Sequence, residues 1–234
     1  MRFQWIAAAA LVFAGLVVAS GARAQDKPET GSSPAATPWE VQVGYRGGVM
    51  PSAGYDPFST DEYFAQLTLG ASRVVYQRGR LSLSAGAAWD WGHAGATPRG
   101  DKADLSVNRF TAPLTARWYL LPRAYVFARV APGAIHQSAS VQEPSAPASL
   151  VASGWRPCGD ASVGAAYSFA DVITGVGPLV WWVTADGGYG WAGAMRLSMS
   201  PDLADSDPRR TGPLDLGSLA LSGPFGRLAV AMTF

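Results

Sequence analysis

Within this chain, His136-Gln137-Ser138 comes nearest to chemistry in residue type and spacing. In a strand, residues i and i+2 point to the same face, so an imidazole at 136 stands beside a hydroxyl at 138 as a base stands beside a nucleophile. Glu143, farther along, is the candidate acid that would orient the base. The other histidine, His93, lies in a glycine-rich stretch just after Trp91 and reads as a solvated loop residue. No histidine pair, and no histidine with the single cysteine Cys158, stands at metal-ligand spacing, so no metal or other cofactor is expected. One cysteine allows no intramolecular disulfide, and Cys158 reads as a small buried or lipid-facing residue. There is no glycine-rich phosphate loop and no ladder of basic and aromatic residues. The remaining candidates are charges at positions opposite apolar faces: Glu40, Asp90, Asp160 and Asp186, with Arg46, Arg117, Arg129 and Arg227.

The elements that must position these groups are read from periodicity. Residues 1–24 have the form of a secretory signal. Arg2 gives the positive n-region, an apolar run follows, and Ala22-Arg23-Ala24 offers a small-x-small cleavage site. Removing Arg2 and Arg23 with that leader turns the formal net charge from +1 to −1, which leaves no electrostatic footprint for nucleic acid. Residues 25–38, rich in Pro, Ser, Thr and Ala without period, read as a flexible linker. The rest, 39–234, is one domain.

That domain carries eight alternating segments: 39–49, 62–75, 80–91, 108–120, 124–136, 158–169, 179–191 and 226–234. The third is the cleanest. Leu81, Leu83, Ala85, Ala87, Trp89 and Trp91 oppose Ser82, Ser84, Gly86, Ala88 and Asp90, the code of a strand between two different solvents. The connections after the second, fourth and sixth segments are short (76–79, 121–123, 170–178). Those after the first, third, fifth and seventh are long (50–61, 92–107, 137–157, 192–212). Aromatics gather at both ends: Tyr63, Trp89, Trp91, Phe110, Tyr189 and Trp191 toward the loops, and Tyr76, Trp118, Tyr167, Phe169 and Phe234 toward the turns. Even strand number, alternating connection length and two girdles predict an all-β fold. It is an eight-stranded antiparallel up-and-down transmembrane β-barrel with long external loops and short periplasmic turns. Beyond the seventh segment, Met195, Leu197 and Met199 keep its phase, and Leu214, Leu216 and Leu219 precede the last. This leaves open a large loop, a protruding two-stranded extension or a ten-strand barrel.

The last nine residues, GRLAVAMTF, are similar to the C-terminal sorting strand of bacterial outer-membrane barrels. Arg227, Met232 and Phe234 match its polar, apolar and terminal aromatic positions, and Ala229 stands where glycine is usual. In architecture the chain from about Trp39 resembles the small OmpA/OmpX-type and OmpW-like outer-membrane barrels. That resemblance implies a home in the bacterial outer membrane, contact with its lipid and lipopolysaccharide, and assembly by the barrel insertion machinery. It does not fix a role, because such barrels include structural, adhesive, porin-like and enzymatic members; the leading expectation is a structural or surface-interaction role without catalysis, with an external partner left unnamed. Two alternatives stay open. One is a narrow channel for small solutes, with the eight interior charges as its lining or its plug. The other follows from the likeness of His136 and Ser138 to the His-x-Ser of the lipid A 3-O-deacylase family, although the following Ala-Ser-Val-Gln-Glu-Pro departs from that family's continuation.

Overall fold

The computed structural model describes residues 39–143, 148–174, 177–203 and 214–234; the expected signal (1–24) and linker (25–38) lie outside the described residues. Eleven strands are described: β1 (Trp39–Val49), β2 (Tyr63–Arg78), β3 (Leu81–Ala96), β4 (Lys102–Thr111), β5 (Leu114–Leu121), β6 (Ala124–Gln142), β7 (Leu150–Thr174), β8 (Gly177–Ala192), β9 (Met195–Pro201), β10 (Leu214–Leu219) and β11 (Gly223–Thr233). They make a ring of eight. β4 and β5 are two halves of one strand between β3 and β6; β9 carries β8 onward, and β10 leads into β11. The β4/β5 break falls at Pro113, which has no N–H for a ladder. Ala112 still donates to Pro132 O at 2.8 Å, so the interruption is local.

All neighbours are antiparallel, and β1 pairs with β11 from Glu40↔Thr233 to Gly48↔Phe225. The ring closes at the last residue, where Trp39 N–H donates to Phe234 O at 3.2 Å and Phe234 N–H to Trp39 O at 3.0 Å. Closure leaves no open edge at membrane depth, which is the condition for crossing a bilayer with strands. The β2–β3 turn is tight because Gly79 takes φ +57, a conformation open to glycine at little cost.

Through the lower two-thirds of the ring the outer face is apolar and the inner face polar. Val41, Val43, Leu69, Val126, Val130, Val163, Leu228 and Val230 are exposed on the outside. Thr68, Ser82, Ser84, Thr115, Ser162 and Thr184 are buried within. Trp39, Tyr76, Trp118, Phe169 and Phe234 ring the turn end. Tyr45, Tyr63, Trp89, Trp91, Phe110, Trp155, Tyr189 and Trp191 ring the loop end. These two belts mark the two headgroup levels.

Above the loop-end belt the strands continue, and much of what the period places in connections at 92–107, 137–157 and 192–212 is ladder. β3 and β4 pair as far as Ala96↔Ala103, β6 and β7 as far as Val141↔Leu150, and β9 pairs with β10 in a two-stranded extension of the last hairpin. The physical reason is a change of solvent without a change of phase. On β4, Ala103, Leu105 and Val107 point inward and are fully buried, while Lys102, Asp104 and Ser106 point out. On β9, Met195, Leu197 and Met199 point in, and Arg196 and Ser198 point out. The apolar face therefore moves from outside to inside at the belt. From His136 to Gln142, β6 rises roughly 15 Å above it at 3.4 Å per residue and a tilt near 40°.

The inward apolar residues of this upper tier form a core with Ile135, Ala139, Cys158, Leu219 and Leu221. The β1–β2 connection folds into it. Met50, Tyr55 and Phe58 are buried there, Phe58 completely, on a short 3-10 turn at Asp56–Phe58. The Tyr55 hydroxyl donates to Tyr63 O at 3.0 Å, and burial pushes that phenol's pKa up, keeping it a donor. The β9–β10 hairpin is pinned on its outer face by Arg196, whose Nη2 lies 2.6 Å from Asp215 Oδ2. The Gly217 N–H and then Arg196 hold the Asp215 carboxyl below its ordinary range.

Candidate functional site

Below the apolar core the interior is a layer of charge built from seven strands. Asp160, on β7, is its hub. Arg46 on β1 forks onto it, with Nη1 to Oδ2 at 2.6 Å and Nη2 to Oδ1 at 3.0 Å. Arg109 on β4 donates from Nη2 to Oδ1 at 2.6 Å and to Gly159 O at 2.8 Å. Arg227 on β11 lies 3.9 Å from the same carboxylate. Gly190, on β8, leaves the room: a Cβ there would come 2.5 Å from Arg46 Nη2 and 2.8 Å from Asp160 Oδ1. Asp90 on β3 accepts from Thr68 at 2.7 Å and stands 3.7 Å from Arg46. Toward the turn end, Arg117 on β5 reaches Glu40 on β1 at 2.7 Å. Asp186 on β8 is held more loosely, 3.9 Å from Arg129 and 4.0 Å from Arg227.

All eight charges expected inside are buried in this layer. A ninth, Arg109, was not among them, and it shares the hub. Its signal was present, because Arg109 is in phase with Thr111 and opposite Phe110. The described interior thus holds five arginines against four acids. Aromatic faces take part of the excess: Phe225 lies 3.9 Å beneath the Arg46 guanidinium, and Phe127 lies 5.1 Å from that of Arg129.

A third tier closes the turn end. Tyr125, Phe127, Trp182, Ala166 and Ala231 pack together, with Tyr125 and Trp182 ring centroids 5.0 Å apart. The interior therefore carries side chains at three heights, in an apolar core, a charge layer and an aromatic layer. A cavity of about 10 Å³ beside Glu40, Thr115, Arg117 and Arg129 has room for one water molecule. Gln137 is out of place in the apolar tier. It is fully buried, and its amide N and O find no hydrogen-bond partner among the described residues. Gln137→Leu is expected to raise stability by about 1 kcal/mol, read from the urea midpoint of the detergent-solubilised barrel.

The His136–Ser138 pair lies on the outer face at the belt. His136 is opposite Asn108 on one side and Trp155 on the other; Ser138 is opposite Ser106 and Ser153. The imidazole leans on the Trp155 ring at 5.1 Å, and among the described residues no hydrogen bond joins it to Ser138. Glu143 follows β6, seven positions from His136 and roughly 24 Å along the strand direction, too far to orient that ring. The residue across from His136 is Asn108, whose Oδ1 accepts from Trp89 Nε1 at 3.1 Å. His93 also faces outward, with Nε2 3.5 Å from Asp104. Cys158 is buried in the apolar core. Arg227 points into the charge layer, while Phe234 stands on the lipid face in the closing strand.

A closed ring with an apolar waist between aromatic belts, polar within, is the spanning structure of bacterial outer membranes, and its polarity places this chain there. No protein-family model matches the chain, and no curated protein matches it. Among solved structures, the attachment invasion locus protein Ail of Yersinia pestis, in complex with the heparin analogue sucrose octasulfate, aligns at TM-score 0.47. The two are 10% identical over 84% of this chain and 97% of that one. Neisserial surface protein A aligns at 0.46, with 10% identity over 84% and 97%. The outer-membrane protease OmpT of Escherichia coli aligns at 0.47, with 8% identity over 89% and 99%. The likeness lies in the course of the chain, and no residue role passes across it.

Proposed function

We propose that the protein is a non-enzymatic, non-conducting surface barrel of the outer membrane, and that it works through the folded tier above the outer belt. The observation that carries this reading is the inversion of polarity on continuous strands. A loop that only connects strands needs no core, whereas this tier has one, with Leu105, Leu197, Met199 and Phe58 at its centre. Burying that much apolar surface holds the outward residues in fixed register, which is what recognition of a partner requires. The buried side chains that cross the interior at three heights argue against the channel reading, and the separation of Glu143 from His136 and Ser138 argues against catalysis. Arg227, Met232 and Phe234 remain the proposed signal for the barrel insertion machinery, supported by their place in the strand that closes the ring.

Two measurements test the reading. The reconstituted full chain should give no stepwise conductance in planar bilayers; discrete openings would overturn it. In intact cells, Ser140→Cys and Ser198→Cys should react with a membrane-impermeant maleimide, while wild-type Cys158, buried in the core, stays unlabelled. Absence of label at both engineered positions would put the tier on the periplasmic side and end the proposal.

A further inference from the structure

Among the described residues, five buried arginines face four buried acids, and the excess has an address. Around the hub, Arg46 and Arg109 are matched by Asp160 and Asp90. Toward the turn end, Arg117, Arg129 and Arg227 share Glu40 and Asp186. Arg117 takes Glu40 at 2.7 Å, and Arg227 stands between Asp186 and Asp160. Arg129 is left with Asp186 at 3.9 Å, beyond hydrogen-bond reach. Its side chain is buried, and its Nε donates to Thr115 Oγ1 at 3.4 Å. Its Nη1 has no hydrogen-bond partner among the described residues. The cavity of about 10 Å³ lies beside it, lined also by Thr115, Arg117, Glu40, Gln42 and Ser72. Gly70 keeps that wall open, since a Cβ there would come 2.8 Å from Gln42 Nε2. We propose that this cavity binds one monatomic anion, a chloride ion, as the counterion of Arg129.

Arginine does not shed its proton, so a buried guanidinium without a full partner stays charged at a high cost. A water molecule would accept from Nη1 and leave that charge in place, whereas an anion answers both. Size narrows the class. Space for a single water admits a halide, which is little larger, and excludes phosphate or a carboxylic acid. The donors suit it. The Thr115 oxygen accepts from Arg129, which leaves its O–H free to donate. Ser84, opposite Thr115 on β3, has a buried hydroxyl without a partner among the described residues. The one acid in the lining, Glu40, is neutralised by Arg117 through Oε1; its Oε2 also lacks a partner there, which sets the ion on the Arg129 side.

Urea titrations of the detergent-solubilised full chain, with sodium chloride exchanged for sodium gluconate at constant ionic strength, test the site. Gluconate is too large for the cavity. Above half-occupancy, each tenfold rise in chloride should raise the folding equilibrium constant of wild type about tenfold. Arg129→Gln removes the excess charge and should abolish that response. Thr115→Val keeps the shape of the side chain and should weaken chloride about tenfold, which serves should Arg129→Gln fail to fold. Crystals soaked in bromide should show an anomalous peak beside Arg129 Nη1. Equal stability of wild type in chloride and gluconate would overturn the proposal. So would a chloride response unchanged in either folded variant, or a cavity that holds only water in the bromide-soaked crystals.

Discussion

Asp160→Ala is expected to cost about 3–5 kcal/mol of unfolding free energy, the range for removing one partner of a buried ion pair. The loss exceeds that of a single contact in kind, because the carboxylate serves Arg46 through two hydrogen bonds and Arg109 through one, with Arg227 at its edge. Without it Arg109 keeps only Gly159 O, and Arg46 keeps Asp90 at 3.7 Å and the Phe225 ring. Both guanidiniums stay buried and charged, since arginine does not shed its proton. Adding Arg109→Met to Asp160→Ala should recover part of the loss, because it removes the stranded cation and not another attraction. Asp215→Ala removes an ion pair of the same length on the exposed hairpin and should leave the urea midpoint where it was. Equal effects at Asp160 and Asp215 would refute a hub in the interior.

The hub also shows what the amino-acid sequence could and could not reveal. Alternation placed Asp90, Asp160, Asp186, Arg117 and Arg227 on inward faces, because each stands between apolar neighbours on a strand bathed by lipid. It passed over Arg109. That residue lies where the polarity code reverses: toward the turn end its strand reads apolar outward, and from Val107 back to Ala103 it reads apolar inward. A search for outward apolar residues ends at the belt, so 92–107 and 137–157 read as loops although the strand period continues through 92–96, 102–107, 137–142 and 150–157. The last hairpin was the exception, since Met195, Leu197 and Met199 announced a continued phase, and the two-stranded extension is the alternative that the structure contains. Which arginine meets which acid was not legible. Those pairings depend on register around the ring, and Arg46 finds Asp160 across 114 positions of sequence.

If polarity inverts at the belt, the same substitution on one face of one strand must change from harmless to costly as it descends. β7 offers the comparison, with Ser153 and Val163 both pointing outward and no register shift between them. Val163 lies within the lipid-facing waist, and Val163→Arg should cost about 2–4 kcal/mol in phosphatidylcholine vesicles, the range for arginine near the midplane of a membrane barrel. Ser153 is two rows above Pro157, in the register row of His93, and Ser153→Arg should stay within about 0.5 kcal/mol of wild type. The inner face must answer in the opposite sense. Leu197 is completely buried in the upper core, and Leu197→Asp should prevent that tier from closing, a loss of several kcal/mol for an unpaired buried carboxylate. Its neighbour Ser198 points to water, and Ser198→Asp should be silent. Urea titrations of the four variants in vesicles decide the matter. If Ser153→Arg and Val163→Arg cost the same, the bilayer extends past the belt, and the upper tier loses its claim to be a folded structure standing in water.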